Sequence, residues 1–157
     1  MSMNARQLFS DMGSTKTSEG GRYIVEGRYH LKTTEVKCFE STREQGKYYF
    51  CADFSVEDSS VSTYGKGDKI SWLVKLGTDT SNANIKELMK ALIAGASDED
   101  IDAATMEEAL SPDQPLAGTV LYCNAYKQEM KTKPGQYFTR CMWYSEPIEI
   151  HSNGQAE

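Results

Sequence analysis

The hydrophobic period of this 157-residue chain changes twice along its length, and the order of the changes limits the folds that it can adopt. Apolar and polar residues first alternate, as they do in strands, over three segments: Gly27–Phe39, Tyr48–Val56 and Asp68–Leu76. Apolar residues then recur at helical spacing, at Ile85, Leu88, Met89 and Leu92. A second short helix is predicted over Asp98–Leu110, and two more strands over Gly118–Tyr126 and Gln136–Tyr144. The order is therefore three strands, two helices and two strands.

The first two strands carry further detail. The apolar face of the first strand changes parity near Thr33 and Thr34, which predicts a β-bulge there. A strand bent at a bulge can serve both halves of a small barrel. In the second strand, the alternation assigns Phe50, Phe54 and their even-numbered neighbours to the core and places Tyr49 on the opposite face.

This order of elements predicts a mainly β protein, an OB-fold five-stranded barrel with a helical insert between strands three and four. An unrelated α+β sheet or a split barrel can share the same order. The predicted limits are a flexible N-terminal arm at residues 1–21, an OB-fold domain at 22–146 with its helical insert at about 84–111, and a short C-terminal tail at 147–157.

Composition excludes several classes of protein. The net charge of −6 argues against indiscriminate binding to duplex DNA, and no apolar run is long enough for a membrane span or a secretory signal. We therefore expect a cytoplasmic protein with no membrane partner. The four cysteines form no CxxC pair, so reduced cysteines within the sheet are favoured over a structural zinc site.

Catalytic motifs are scarce in this sequence. It contains no glycine-rich phosphate loop, HExxH or GxSxG. The acidic run Asp98–Asp102 lacks the glycine turn and closing glutamate of a calcium loop, which favours a solvated helix start over a metal site. We therefore expect no enzyme activity, no cofactor and no bound metal.

Positive charge gathers beside aromatic residues in the C-terminal third, against the acidic charge of the whole chain. A hairpin loop at residues 127–135 contains lysines, and aromatic residues lie on the strands on either side. Lysines can follow phosphates while rings stack on bases, as a groove for single-stranded nucleic acid requires. The candidate cations are Lys127, Lys131, Lys133, Arg140, Lys69 and Lys75. The candidate stacking rings are Tyr49, Tyr122, Tyr126, Tyr137 and Trp143. For each ring, packing in the sheet is the alternative, and for the loop lysines it is a solvated hairpin.

The sequence also resembles a known family. The resemblance is carried by Gly27-Arg28-Tyr29, by Tyr48-Tyr49-Phe50-Cys51-Ala52-Asp53-Phe54, by Gly67-Asp68-Lys69-Ile70, by Gly118-Thr119-Val120 and by Gly135-Gln136-Tyr137-Phe138. In these segments, over roughly Gly21 to Tyr144, the chain resembles small phage-encoded single-stranded DNA-binding proteins of the OB fold. The resemblance implies a role in phage DNA replication or recombination inside the host cell, with single-stranded DNA and replication or recombination proteins as partners.

Three hypotheses of function follow from these observations. The first is a binding module that coats single-stranded DNA without sequence preference. The second is a protein-interaction factor on an OB-like fold, whose acidic helical insert binds a host or phage enzyme. The third and least favoured is a small enzyme such as a nuclease. The sequence leaves open the choice between DNA and RNA, and it leaves open whether the protein forms a homo-oligomer.

Overall fold

The computed structural model describes residues 22–151, so the predicted arm and the last six residues of the tail lie outside the described part. This part is mainly β, with one five-stranded antiparallel sheet and two α-helices. The strands are β1 (Gly27–Glu40), β2 (Tyr48–Ser59), β3 (Lys69–Lys75), β4 (Val120–Glu129) and β5 (Tyr137–Tyr144). The helices are α1 (Asp79–Leu92) and α2 (Ala103–Ala109).

The central strand of the sheet is β1, and the strand order is β3-β2-β1-β4-β5. The two outer strands, β3 and β5, are not hydrogen-bonded to each other in the described chain, so the sheet is not closed. The register between β1 and β2 shifts between Thr33 and Glu35, which confirms the predicted bulge. A second shift, between His30 and Leu31, was not predicted from the sequence.

The bulge divides β1 into two parts with different neighbours. Before it, residues 27–32 pair with β4, whereas the residues after it pair only with β2. After the bulge β4 no longer pairs with β1, and the side chain of Gln114 bonds the backbone of Val36 instead. The Gln114 side-chain oxygen accepts from Val36 N at 2.8 Å, and its nitrogen donates to Val36 O at 2.9 Å. One amide side chain thus takes the place of a neighbouring strand.

The core lies between the inner face of the bent sheet and α1. Phe50 and Phe54 of β2 are fully buried there, as the alternation of that strand predicts. The buried residues of α1 include all four that helical spacing predicts, Ile85, Leu88, Met89 and Leu92. The helix begins at Asp79, because the Thr78 side chain accepts a hydrogen bond from Ser81 N at 3.0 Å and caps the first turn.

The second predicted helix is interrupted. In place of one helix over Asp98–Leu110, a 3-10 turn over Asp98–Asp100 is followed by α2. Ile101 lies between them in a non-helical conformation, where its side chain is buried in the core. Asp102 then caps α2 by accepting from Thr105 N at 2.9 Å. The helical insert therefore begins earlier in the sequence than predicted, at Asp79, and contains two short helical segments after α1.

The two long hairpins of the sheet share one loop design. Seven residues join β1 to β2 and seven join β4 to β5. In each loop a glutamate at the end of the first strand accepts from a glycine N six positions later, Glu40 from Gly46 at 2.7 Å and Glu129 from Gly135 at 2.9 Å. Both glycines have positive φ, 84° and 90°, where a side chain would be strained. The same turn is therefore built twice.

The bounds of β4 correct one prediction about this loop. The strand continues to Glu129, so Lys127 lies within β4 opposite Thr139 and not in the hairpin loop. Lys131 and Lys133 do lie in the loop.

No helix in residues 22–151 is both long enough and apolar enough to cross a membrane.

Candidate functional site

A cavity with a volume of about 710 Å³ lies on the outer face of β1, β2 and β3. We call it the basic groove, and define it by three rings and three cations in its lining: Tyr23, Phe39, Tyr49, Lys37, Arg43 and Lys69. Asp53 is the one carboxylate among its lining residues. The groove therefore carries net positive charge on a chain whose net charge is −6.

The pairing of β1 with β2 creates the aromatic part of the groove. The register places Phe39 opposite Tyr49, on the face away from the core. Their rings are stacked, with centroids 6.0 Å apart and planes inclined by 25°. Leu73 on β3 is exposed and also lines the groove. A flat apolar patch of this kind can support the face of a planar ligand.

Polar side chains from three strands meet at Asp53 on the floor of the groove. The Lys37 ammonium from β1 lies 3.1 Å from one carboxylate oxygen. The hydroxyl of Ser71 on β3 and the thiol of Cys51 on β2 both donate to the other oxygen. These contacts hold the side chains of three adjacent strands in one arrangement.

Ionisation at this junction follows from burial and hydrogen bonding. Burial raises the pKa of Asp53, but the donors Ser71 and Lys37 outweigh it, so its pKa lies below the ordinary value. Burial likewise lowers the pKa of Lys37, and the bond to Asp53 outweighs that effect, so the lysine pKa is raised. The two groups are therefore a charged pair at neutral pH.

The thiol beside this pair is held in its protonated form. Burial, followed by the negative charge of Asp53, raises the pKa of Cys51 to about 12. A nucleophilic cysteine needs a thiolate, and Cys51 is a thiol at neutral pH.

The two lysines predicted on β3 lie at opposite ends of that strand. Lys69 lines the groove. Lys75 is opposite Tyr49, and its ammonium lies 3.4 Å from a Glu44 oxygen in the first loop. The charge of Lys75 is thus shared with a carboxylate at the rim, and Lys69 is the more available cation.

Two predicted rings, Tyr122 and Tyr126, lie on the outer face of β4, and neither lines the basic groove. Tyr122 stacks on His30 with centroids 4.5 Å apart. Tyr126 is opposite Arg140 on β5, and the Arg140 guanidinium lies 3.6 Å from a Glu87 oxygen on α1. This second cluster is part of the sheet surface on the other side of β1.

The tip of the second hairpin presents rings and cations together. Tyr137 is 60% exposed, and Phe138 next to it is also exposed. Lys131 and Lys133 lie in the adjoining loop and are exposed as well. None of the four lines the basic groove. They are therefore exposed at the second hairpin, apart from the groove.

Trp143 is the one predicted ring that the structure places in the core. It is 8% exposed, and its ring packs against Phe54 at 5.6 Å and Trp72 at 5.3 Å between centroids. Parity groups it with Tyr137 on one face of β5, but that face is the inner one, and only the hairpin end of it extends beyond the core. Trp143 is therefore excluded from the set of stacking residues.

Three carboxylates of the acidic insert act within the insert. Asp98 pairs with Lys90 at 2.7 Å, Asp100 accepts from Ser97 N at 2.9 Å, and Asp102 caps α2. These bonds give three of the acidic residues a role in the local structure of the insert. Within residues 22–151, no group of three or more His, Cys, Asp or Glu side chains is placed to hold a metal ion.

Sequence reasoning identified Tyr49 and Lys69 and gave Lys37 as a weaker candidate, but it missed Tyr23, Phe39 and Arg43. Phe39, Lys37 and Arg43 lie at the end of β1 and in the following loop, far in sequence from the basic hairpin. A signal was present, because any antiparallel pairing through the loop before Tyr48 brings the end of β1 against Tyr49.

Comparison with known proteins adds no family to this geometry. No protein-family model matches the chain, and a search of curated proteins finds no significant match.

Proposed function

We propose that this protein binds single-stranded DNA without sequence preference, in the basic groove. The observation that carries the proposal is the composition of the groove: stacked rings and three cations against one carboxylate, on an acidic chain. Stacking on rings tolerates any base, and cations that contact phosphates give affinity without reading sequence.

We also propose that the sheet is an OB-type barrel left open between β3 and β5. The observed neighbours of β1, β2 and β4 are those of that fold. In such folds oligonucleotides lie across strands two and three, beside the loops that follow strands one and four. The basic groove lies on those strands, and Arg43 comes from the first of those loops.

The second hairpin is the natural extension of this surface. Lys131, Lys133 and Tyr137 lie at the loop between β4 and β5, the other loop that OB folds use for ligands. We propose that they contact the same strand of DNA beyond the groove. The setting in phage replication or recombination, with proteins of that machinery as further partners, comes from the sequence resemblance alone.

The neighbouring residues Tyr48 and Tyr49 offer a matched test. They lie on opposite faces of β2, and only Tyr49 lines the groove. We expect Tyr49→Ala to weaken binding of a labelled oligo(dT), measured by fluorescence anisotropy at low salt, by about 5- to 150-fold, because one stacked base is worth about 1–3 kcal/mol. Tyr48→Ala should bind like the wild type.

The same titration separates the competing hypotheses. Binding of single-stranded DNA that both substitutions weaken equally would place the ligand elsewhere on the molecule. No binding at micromolar protein and low salt would contradict the proposed function and favour the protein-interaction hypothesis. Parallel titrations with single-stranded RNA and with duplex DNA show which polymer is preferred, because stacking and phosphate contacts serve DNA and RNA alike.

A further inference from the structure

The open side of the sheet, between β3 and β5, contains a second cavity. Its volume is about 410 Å³, and its lining includes Trp72 from β3 and Thr139 and Cys141 from β5. The segment Arg22–Ile24 runs parallel to β3 beside it: Ser71 N donates to Arg22 O at 2.9 Å, and Ile24 N donates to Ser71 O at 3.2 Å. The cavity is therefore an open depression that lies between a short added segment on one side and β5 on the other.

Tyr23, in the middle of this segment, has a fixed backbone and an available ring. Its carbonyl accepts from the hydroxyl of buried Tyr64 at 2.7 Å. The guanidinium of its neighbour Arg22 lies 4.9 Å from the centre of the Tyr64 ring and 3.7 Å from an Asp68 oxygen. The side chain of Tyr23 is nevertheless 48% exposed. A ring that is held at its backbone loses little conformational entropy when a ligand stacks on it.

The second cavity and the basic groove adjoin across β3. Tyr23, Ser71 and Leu73 line both of them. A ligand that lies on Phe39 and Tyr49 in the groove therefore meets the ring of Tyr23 next, and the second cavity lies beyond it.

The lining of the second cavity matches the chemistry of a nucleobase. Its inner wall is Trp72, which is held edge-on by Trp143 at 5.3 Å and by Phe50 at 6.1 Å between centroids. The hydroxyl of Thr139 can donate or accept a hydrogen bond in this cavity, whereas the hydroxyl of Ser71 donates to Asp53 in the groove. Its volume falls within the range of small-molecule sites in proteins, about 300–1,000 Å³.

We propose that the cavity between β3 and β5 is a second base-binding subsite, which seats a base of the same DNA strand against Trp72, with Tyr23 as the stacking platform between the groove and this subsite. The inference rests on the proposed function and extends it, because it continues the path of the DNA across the open side of the sheet. It assigns a binding role to Tyr23 and Trp72.

The two tryptophans of the chain make the occupancy of this subsite measurable. Trp72 lines the cavity, whereas Trp143 is buried. Saturation with oligo(dT) should quench the tryptophan fluorescence of the wild type, because a base stacks on or beside Trp72. Trp72→Phe should retain binding by anisotropy and lose this quenching. Binding by anisotropy with unchanged tryptophan fluorescence in the wild type would overturn the subsite and leave the proposed function standing. Absence of any anisotropy change would overturn both.

Tyr23 provides a second, independent test with a control of equal exposure. Tyr48 is also 48% exposed and lines neither cavity. We expect Tyr23→Ala to weaken oligo(dT) binding by about tenfold and to reduce the quenching at saturation, and Tyr48→Ala to change neither. Tyr23→Phe, which keeps the ring, should restore both. Tyr23→Ala with the affinity and quenching of the wild type would contradict the proposal.

Discussion

At the scale of the residue, Asp53 shows how the fold and the groove depend on the same atoms. Its carboxylate joins donors from β1, β2 and β3, and it lies on the floor of the groove. Hydrogen bonds to a charged group contribute about 1.5–3 kcal/mol each to stability, so this half-buried carboxylate stabilises the three strands that its donors come from. The ion pair with Lys37 also reduces the positive charge that faces a ligand.

The ionisation of Asp53 predicts a dependence of stability on pH. Its folded-state pKa is lower than its unfolded value, so its contribution is present at neutral pH and is lost as pH falls through the folded pKa. We expect Asp53→Asn to lower the free energy of unfolding by about 1–3 kcal/mol at pH 7. This difference from the wild type should shrink below about pH 4, near the unfolded value of aspartate.

Urea unfolding of both proteins between pH 7 and pH 3 measures that difference directly. Taking the difference removes the titration of the other carboxylates, which both proteins share. A difference that stays constant over the whole range would contradict the lowered pKa of Asp53.

Single residues also show what the alternation of a strand can and cannot tell. Parity alone places Tyr49 on the outer face, and the structure confirms this, because the register of β2 with β3 is unbroken from Tyr49 to Ser55 and Tyr49 lines the groove. Parity alone does not say which face of β5 is the inner one. That choice depends on packing against Phe54 and Trp72, which are distant in sequence, so the burial of Trp143 could not be deduced.

At the scale of the element, the second half of β1 depends on a side chain from a distant loop. Gln114 makes both bonds to Val36 that a strand would otherwise make. Gln114 has φ of 47°, and its amide is further held by a bond to Ser111 O at 3.1 Å. The backbone of β1 after the bulge therefore has a specific hydrogen-bonding partner at Val36, and its polar groups there are not left unpaired beside the core.

We expect Gln114→Ala to lower the free energy of unfolding by about 1–3 kcal/mol, because it leaves two backbone groups of Val36 without partners. Urea unfolding measures this loss. Gln136→Ala, at an exposed glutamine of the second loop, is the control and should change stability by less than about 0.5 kcal/mol. Equal effects of the two substitutions would show that the Gln114 bonds contribute nothing.

Periodicity located every strand and α1 within a few residues, but it failed at the second helix. The burial of Ile101 explains this failure. Its side chain turns into the core and interrupts the helix between Asp100 and Asp102, and only tertiary packing can favour that break over a continuous helix. Lys127 is a similar case, because pairing with Thr139 extends β4 into a segment with no clear alternation.

At the scale of the whole molecule, the cations fall into two groups with different partners. Lys37, Arg43 and Lys69 line the groove, and Lys131 and Lys133 lie in the second hairpin loop. Lys86 and Lys90 on α1 are instead bonded to Asp98 of the insert. Arg43, Lys69, Lys131 and Lys133 are available to phosphates, whereas Lys37 is paired with Asp53. Lys86 and Lys90 stabilise the insert.

This separation predicts which lysines control the salt dependence of binding. The slope of log affinity against log salt concentration is about −0.7 per phosphate contact for single strands. The double substitution Lys131→Ala and Lys133→Ala should therefore make the slope shallower by about 1.4, because two contacts are lost. Anisotropy titrations with oligo(dT) over a range of salt concentrations measure the slope.

The matched control is the double substitution Lys86→Ala and Lys90→Ala, which removes the same charge from a paired position. It should leave the slope as in the wild type. If both double variants change the slope equally, net charge and not contact with phosphates explains the binding, and the place of the second hairpin in the site is wrong.

The order of elements predicts the connectivity of this sheet. It does not predict that the sheet is open between β3 and β5. Closure depends on whether two strands separated by the whole helical insert meet, and local periodicity carries no information on that distance. The segment at Tyr23 that occupies this side lies at the edge of the predicted domain. Its two backbone bonds to Ser71 cannot be recognised in the hydrophobic pattern of the sequence.

The repeated loop has a consequence for how such a protein can change. In both hairpins a glutamate and a glycine fix the turn, and five residues lie between them. Those residues differ completely, Ser41-Thr42-Arg43-Glu44-Gln45 in one and Met130-Lys131-Thr132-Lys133-Pro134 in the other, although the turns have the same backbone bonds. The backbone shape therefore places little restriction on what the loop presents to a ligand. Substitutions can therefore alter the charge at either hairpin tip independently, without changing the bonds that fix its turn.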